Sequence, residues 1–338
     1  MGLYCGIDLH STSSYLSVQD ARDQVVEGKK LPNRLDVVLA ALEPYRDELV
    51  GIAVESTFNW YWLVDGLMEA SYPVHLAHPA GMAQYTGLKY TDDRHDARWL
   101  GHLLRLGLLA EGYIYPKQKR AVRDLLRKRA HLVRQRTANL LSLQNLWARN
   151  SGELVRGNAL VLLGRSVQLE ALESKELRLA MEVTLAVLAA LNEQIDRLEK
   201  AVFARGKLEP DYQLLQSIPG VGKILGLTIV YETSDIRRFR KAGNYASYCR
   251  CVDSRRLSHG KKKGEGNKRN GNRYLSWAFI EAANFIVRYE PRARRFLERK
   301  IAKKNRSLAI RALAGKLARA TYFMLRDQKR FETDRLFA

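Results

Sequence analysis

Four acidic residues in the amino-terminal third of the chain have the types and spacing of a metal site. Asp8 lies within the apolar stretch 3–10 and Glu55 closes a second such stretch, and both stretches are typical of short buried strands. A carboxylate in such a position needs a partner. Asp93 and Asp96 begin a helix, where a three-residue offset places both side chains on one face. The pattern predicts that the four carboxylates converge.

Converging carboxylates repel one another unless cations neutralise them, and Mg²⁺ is a hard divalent ion that suits oxygen ligands. Two such ions about 3.5 to 4 Å apart would hold both oxygens of a phosphoryl transfer. The alternative interpretation is structural: Asp8 caps a turn, Glu55 ends its strand, and Asp92 and Asp93 cap a helix. Asp92 could also exchange roles with Asp93, although Asp93 has the three-residue offset to Asp96.

The charge of the chain indicates a polyanionic partner. Its 338 residues include 57 Lys and Arg against 36 Asp and Glu, a net charge of +21, so nucleic acid is the expected partner. A membrane is not expected, because the chain has no apolar run of about 18 residues and no lipidation motif. The amino terminus lacks the features of a signal peptide, so secretion is not expected. Three cysteines exclude a disulfide framework and are typical of a protein of a reducing cytoplasm.

The order of predicted elements divides the chain into three regions. Residues 1–112 alternate strands and helices, which predicts an α/β layer with a mixed sheet and the acids at strand ends. Residues 113–207 form long helices with apolar positions spaced by seven, such as Met181, Leu188 and Ile195. This coiled-coil pattern predicts either a homo-oligomer, dimer or tetramer, or an antiparallel hairpin that packs on itself. Residues 208–338 are mainly helical.

A glycine-containing turn opens the third region. Gly220 and Gly222 lie between two short apolar helices, directly before Lys223. The arrangement resembles a helix-hairpin-helix element, in which backbone N–H groups approach a phosphate at a helix N-terminus. A tight turn with a purely structural role is the alternative.

A basic segment between residues 254 and 273 contains a candidate nucleophile. Ser258 precedes three lysines, and a hydroxyl flanked by cations and backbone amides can attack a phosphodiester if its proton finds an acceptor. By composition alone it is an ordinary loop serine, and Ser254 is a competing candidate. The predicted nucleic-acid contacts of this segment are Arg255, Arg256, Lys261, Lys262, Lys263, Lys268 and Arg269.

The chain resembles the DEDD transposases of insertion sequences, a family of bridge-RNA-guided serine recombinases, over nearly its whole length. The resemblance rests on GIDLH at 6–10, VEST at 54–57, TDDRHDA at 91–97, IPGVG at 218–222, and SHG at 258–260 followed by the stretch 267–272. The segment 249–253 departs from the Gly-Leu-x-Pro pattern of much of the family and is similar to its second major subgroup.

The resemblance implies a fold, a set of site residues and a reaction. The fold is an amino-terminal domain similar to the RuvC resolvase and RNase H, then coiled-coil helices, then a mainly helical transposase domain. The family's four acids fall on Asp8, Glu55, Asp93 and Asp96 and its nucleophile on Ser258. The implied partners are donor DNA, target DNA and a structured noncoding guide RNA, with Mg²⁺ as cofactor. The alternatives are a metal-dependent DNA junction nuclease without serine chemistry and a non-catalytic RNA- or DNA-binding protein.

Overall fold

The computed structural model describes residues 2–82, 92–155, 159, 174–252, 256–264 and 270–337. The chain forms two compact units, Met1–Lys117 and Gln118–Ala338. The three-region division into 1–112, 113–207 and 208–338 stays a prediction. None of the described helices is both long enough and apolar enough to cross a membrane.

A five-stranded mixed sheet forms the centre of the first unit. Its strands are β1 (Leu3–Leu9), β2 (Ser13–Gln19), β3 (Val25–Pro32), β4 (Leu49–Glu55) and β5 (Val74–Ala77), in the order β3-β2-β1-β4-β5. The first three strands are antiparallel neighbours, whereas β4 lies parallel to β1 and β5 parallel to β4. This is the RNase H-like arrangement, and it confirms the predicted mixed α/β sheet.

Helices cover the two faces of this sheet. They are α1 (Leu35–Leu42), followed by a 3-10 turn at Glu43–Glu48, then α2 (Tyr61–Glu69), α3 (Pro79–Met82) and α4 (Asp93–Arg105). The residues Cys5 and Ile7 of β1 belong to the apolar core that includes side chains of α1 and α2. Because side chains alternate along a strand, Gly6 and Asp8 face the other side, where α4 lies against β1.

The second unit is mainly helical, as predicted. Its long helices α5 (Lys117–Ser151) and α6 (Lys175–Gly206) precede α7 (Pro210–Leu215), α8 (Lys223–Thr233), a 3-10 turn at Ile236–Arg238 and α9 (Ala242–Tyr248). A small hairpin of β6 (Arg256–Ser258) and β7 (Lys261–Gly264) follows, then α10 (Arg273–Tyr289), α11 (Pro291–Ile301), α12 (Arg306–Asp327) and α13 (Thr333–Phe337). The core of the unit is built around α8, α10 and α12, and α8 is buried from Leu225 to Thr233.

The two long helices pack against each other within the chain. Leu143 of α5 and Met181 and Leu188 of α6 form one buried cluster, and Arg129 Nε donates a hydrogen bond of 2.8 Å to Glu199 Oε1. Early positions of α5 therefore contact late positions of α6, so the pair is antiparallel. The seven-residue seam is occupied inside one chain, which is the hairpin alternative of the sequence analysis. The homo-oligomer stays a prediction.

Candidate functional site

The carboxyl end of β1 and the start of α4 bring two acids and a histidine together. His10 Nε2 lies 3.0 Å from Asp8 Oδ2 and 3.1 Å from Asp93 Oδ1. One ligand atom from each residue lies within 4.8 Å of the other two, so a single cation can contact all three. The Asp8 side chain is only 3% exposed, whereas those of His10 and Asp93 are nearly half exposed. The cluster therefore has a buried floor and an open rim.

Glu55 and Asp96 lie close enough to interact electrostatically with this cluster. Burial raises the pKa of Glu55 to about 7, with further contributions from a hydrogen bond to Asp8 and the charges of Asp8 and Asp96. Burial, and then the charge of Asp8, raises the pKa of Asp96. Burial lowers the pKa of His10, but the negative charges of Asp8, Asp93 and Glu55 outweigh it and raise that pKa overall. The four predicted acids therefore interact at one place.

A close approach of backbone to backbone sets the position of α4. A Cβ atom at Gly6 would lie 1.9 Å from Ala97 O and 2.7 Å from Gly101 N. Only a glycine at position 6 allows the helix to touch the strand directly, two residues before Asp8. The first turn of α4, which carries Asp93 and Asp96, is thereby held above the carboxyl end of β1.

His10 was not predicted as a site residue. Its backbone oxygen accepts hydrogen bonds from Asn33 Nδ2 at 2.9 Å and Asn59 Nδ2 at 3.0 Å, and Thr57 Oγ1 donates to Asn59 Oδ1. These contacts fix the chain where β1 ends. The signal was present in the sequence, because Asp8 and His10 are two residues apart on an extended segment and so share one face.

The structure assigns different contacts to the two neighbouring aspartates. Asp92 caps α4: its Oδ1 accepts a hydrogen bond of 2.7 Å from the backbone N–H of His95. Asp93 instead points its Oδ1 at His10. Asp93 therefore belongs to the cluster with Asp8 and His10, and Asp92 caps the helix.

Ser258 lies at the tip of the hairpin of β6 and β7 in the second unit. Ser258 pairs with Lys261, and His259 and Gly260 form the two-residue connection with φ of 50° and 72°. Positive φ at both positions is typical of the tight turn that matches the twist of paired strands. Ser258 Oγ lies 3.2 Å from His259 Nδ1, and the residue is partly exposed. A hydroxyl beside an imidazole nitrogen has a nearby proton acceptor.

Buried polar contacts fix the chain just after this basic segment. Asn272 caps α10 through its Oδ1 and donates from Nδ2 to Glu232 Oε2 at 2.7 Å. Arg127 of α5 forms a bidentate ion pair of 2.7 and 2.8 Å with the same buried carboxylate. Gly271 has φ of 91°, and a Cβ there would lie 2.5 Å from Tyr248 O. The segment therefore returns to the core at a defined position.

The predicted nucleic-acid contacts have varied surroundings. A Cβ at Gly220, where φ is 85°, would lie 2.8 Å from Phe285 Cβ, so packing of the turn on α10 already requires this glycine. Gly222 is the N-cap of α8, with open space around it, and Lys223 Nζ lies 4.5 Å from the centre of the Phe203 ring. Lys261 and Lys263 are exposed. Ser254, Arg255, Lys268 and Arg269 lie outside the described residues, as do the side chains of Arg256 and Lys262.

Two family models match the chain, one on each unit's candidate site. A model of DEDD transposases of the IS110 type matches residues 5–148, which include Asp8, Glu55, Asp93 and Asp96. A model described as the transposase IS116/IS110/IS902 family matches residues 212–298, which include Ser258. Together the matches span well over half of the chain. The chain belongs to the IS110 family of transposases.

Relatives of this transposase carry matching names. It is 23% identical over 284 residues to a protein of Coxiella burnetii named transposase for insertion sequence element IS1111A, covering 81% of this chain and 76% of the relative. It is 24% identical over 283 residues to a probable family 20 transposase of Pseudomonas aeruginosa, covering 81% and 83% of the two chains. A shorter match, 29% over 147 residues, is to an insertion element IS110 protein of Streptomyces coelicolor, 43% of this chain and 36% of that one.

The acidic cluster of the transposase fits a divalent cation. Asp8 Oδ2 is buried and forms no aligned hydrogen bond, although His10 Nε2 is within ion-pair distance. A buried carboxylate oxygen without a hydrogen-bond donor is costly unless a cation contacts it. Burial, and after it the negative charge of the neighbouring acids, raises the pKa of Glu55 and of Asp96. The donor set, mostly carboxylate oxygens, suits a hard divalent ion.

Proposed function

We propose that this transposase cleaves and exchanges DNA strands through a phosphoserine on Ser258, with Mg²⁺ bound by Asp8, Glu55, Asp93 and Asp96. The observation that carries the proposal is that Asp8, His10 and Asp93 lie within reach of one cation, with Asp8 Oδ2 buried and without an aligned hydrogen bond. Glu55 and Asp96 interact electrostatically with Asp8. When bound, the cation would neutralise charge on the phosphoryl group during transfer.

The protein residues around the cation have separate roles in this proposal. Asp8 is the rigid anchor, because it is buried in the central strand. Asp93 and His10 form the exposed rim, where a phosphate can approach. Burial and the neighbouring acids raise the pKa of Glu55 to about 7, so this carboxyl would have to lose its proton to serve as a cation ligand.

The serine step forms one bond and breaks another at the same phosphorus atom. Ser258 Oγ forms a bond to the scissile phosphorus and its proton passes to His259 Nδ1. The bond from phosphorus to the leaving sugar oxygen breaks, and that oxygen takes up a proton from water. The 3.2 Å separation of Oγ and Nδ1 supports this route for the serine proton. The phosphoserine conserves the energy of the phosphodiester for rejoining to a second DNA end.

The acids belong to the first unit and Ser258 to the second, so the proposal needs both units at one phosphate. We propose a homo-oligomer, dimer or tetramer, in which one protomer's Ser258 completes another protomer's acidic site. Donor and target DNA are chosen by pairing with a structured guide RNA, while the basic protein contacts backbone and shape. The net charge of +21 and the family resemblance support this part. The reaction takes place in the bacterial cytoplasm.

The test is covalent attachment of DNA to the protein. The full chain with its co-purifying RNA is incubated with Mg²⁺ and labelled DNA that carries the element ends, and the products are separated by denaturing electrophoresis. We expect a protein–DNA adduct that maps to Ser258 by mass spectrometry. S258A and D8N each abolish the adduct, while S254A, the matched control, retains it.

Other outcomes would assign other functions. DNA cleavage that survives S258A but not D8N indicates a junction nuclease without serine chemistry. An adduct lost in S254A and kept in S258A assigns the nucleophile to Ser254. If the co-purifying RNA is a random mixture instead of one defined species, the proposal of a guide RNA is contradicted.

A further inference from the structure

A basic cleft lies between α11 and α12 in the second unit, outside the sites described above. Its volume is about 540 Å³, and Phe296, Leu308 and Ala312 contribute apolar lining. Six cationic side chains line it: Lys300, Lys303, Lys304, Arg311, Lys316 and Arg319. No acidic residue is among the described lining residues.

The cationic charge in this cleft is not compensated by the protein. Within the described part of the chain, none of the six side chains forms an ion pair with a carboxylate. Lys316 Nζ donates to the backbone oxygen of Leu336 at 2.7 Å, and Arg319 Nη1 donates to that of Gly315 at 3.2 Å. Neither acceptor carries a net charge. A concave surface lined by six positive charges concentrates the electrostatic field and attracts a polyanion.

The cleft adjoins the segment that leads to the candidate nucleophile. Cys251 and Val252 form part of its wall, and a Cβ at Gly315 would lie 2.7 Å from Cys251 O, so the backbone of this segment lies directly against α12. Burial raises the pKa of Cys251 to about 12 although Arg311 and Arg319 lower it, which places both guanidinium groups near this wall. Six residues lead from Val252 to Ser258, and such a chain spans at most about 20 Å.

We propose that the cleft binds the phosphate backbone of the single DNA strand that continues from the scissile phosphate. This assignment rests on the proposed serine chemistry. Because the cleft is close to Ser258 along the chain, we assign its ligand as the strand that Ser258 would cleave. A cleft of about 540 Å³ has the size of a small-molecule pocket, which admits a short length of one backbone and not a duplex. Its cations provide phosphate contacts that carry no sequence information.

The experiment measures equilibrium binding without chemistry. Full-length S258A protein, stripped of nucleic acid and without Mg²⁺, is titrated with a fluorescein-labelled single-stranded oligodeoxynucleotide at several salt concentrations. The cleft variant is K303A/K304A/R311A. Its control, R295A/R299A/R306A, removes the same charge from exposed positions on α11 and α12 that do not line the cleft.

We expect the cleft variant to bind at least about tenfold more weakly, and the slope of log affinity against log salt to fall by about two, since each lost single-strand phosphate contact changes it by about 0.7. The control variant should change both quantities much less. The charge-preserving variant K303R/K304R should bind like the parent. Circular dichroism melting curves verify that every variant is folded.

Equal losses in the cleft and control variants would overturn the proposal, because the charges would then act only through the total field. A cleft variant that weakens binding of single-stranded RNA of the same sequence, but not of DNA, would also overturn it. Binding is measured without cleavage, so a failure here is distinguishable from a failure of the serine chemistry. If Ser258 proves inert while the cleft still binds DNA selectively, the serine mechanism fails. The cleft then remains a site for single-stranded DNA, and its assignment to the cut strand is withdrawn.

Discussion

The two candidate reaction centres of this transposase are built in opposite ways. The acidic centre lies on a central strand buried on both faces, and a helix touches that strand backbone to backbone at Gly6. Ser258 lies at the tip of a two-stranded hairpin, partly exposed and close to His259. The acids are therefore held in place before substrate binds. The Ser258 hydroxyl is instead partly exposed to solvent. Ligands for a cation must be held in fixed positions, whereas a nucleophile must be accessible to its substrate.

The largest expected effect separates two adjacent acids in the first centre. D93N should lower Mg²⁺-dependent DNA cleavage by roughly a hundredfold to a thousandfold, because it removes a charged ligand from the rim of the cluster. D92A should retain most activity and lose about 1 kcal/mol of stability, because Asp92 caps α4. Cleavage rates and thermal melting of both variants give the measurement. Full activity in D93N with loss in a folded D92A would reverse the assignment.

The acidic centre was predictable because its signals are local. An apolar run around Asp8 indicates a buried strand, and the offset between Asp93 and Asp96 indicates one helical face. His10 was missed although it lies two residues from Asp8 on an extended segment, because that spacing indicates a shared face and does not by itself indicate a shared ligand. The roles of Asp92 and Asp93 depend on where the helix begins, which sequence patterns locate only to within a few residues.

The second unit was less predictable because its sequence patterns do not identify which segments pack against each other. The seven-residue spacing of Met181, Leu188 and Ile195 predicts a helix that packs on an apolar neighbour. The spacing does not distinguish whether that neighbour is α5 or a helix of another chain. The segment around Ser258 was treated as a basic loop, whereas it forms a hairpin. Its lysines and glycines do not alternate in polarity, so the strands had no recognisable pattern.

A second prediction tests whether the rigidity of the first centre comes from the crossing at Gly6. G6A should destabilise the first unit by about 3 kcal/mol and weaken Mg²⁺ binding, because the new methyl group meets backbone atoms that cannot move independently. G112A is the matched control, since its Cβ would be 3.4 Å from the nearest atom, and we expect a change within about 0.5 kcal/mol.

Hydrogen exchange can follow the two centres separately in these variants. G6A should increase exchange in peptides covering β1 and α4 and leave those covering the Ser258 hairpin unchanged. Equal protection of β1 in G6A and G112A would show that the close crossing does not hold the acids in place.

The smallest expected effect is a pH dependence confined to the first centre. The pKa of Glu55 is raised to about 7 from its ordinary 4.5, so the folded state binds this proton more tightly than the unfolded state does. The stabilisation is therefore complete below about pH 4.5 and is lost as pH rises through about 7, a difference of about 1 kcal/mol after solvent screening. Without a divalent cation, the first unit of the wild type should lose stability over this range relative to E55Q.

Mg²⁺ should reverse this loss where Glu55 is ionised. A cation binds the deprotonated carboxylate, so it should stabilise the wild type more at about pH 8 than at about pH 6, and E55Q should show a smaller difference between the two. Calorimetric melting of wild type and E55Q at each pH, with and without Mg²⁺, measures both effects. The Ser258 hairpin lies in the other unit, so its hydrogen exchange, compared between the two proteins at the same pH, should be equal. A Mg²⁺ response that is the same in wild type and E55Q would remove Glu55 from the ligand set and leave Asp8, Asp93 and Asp96.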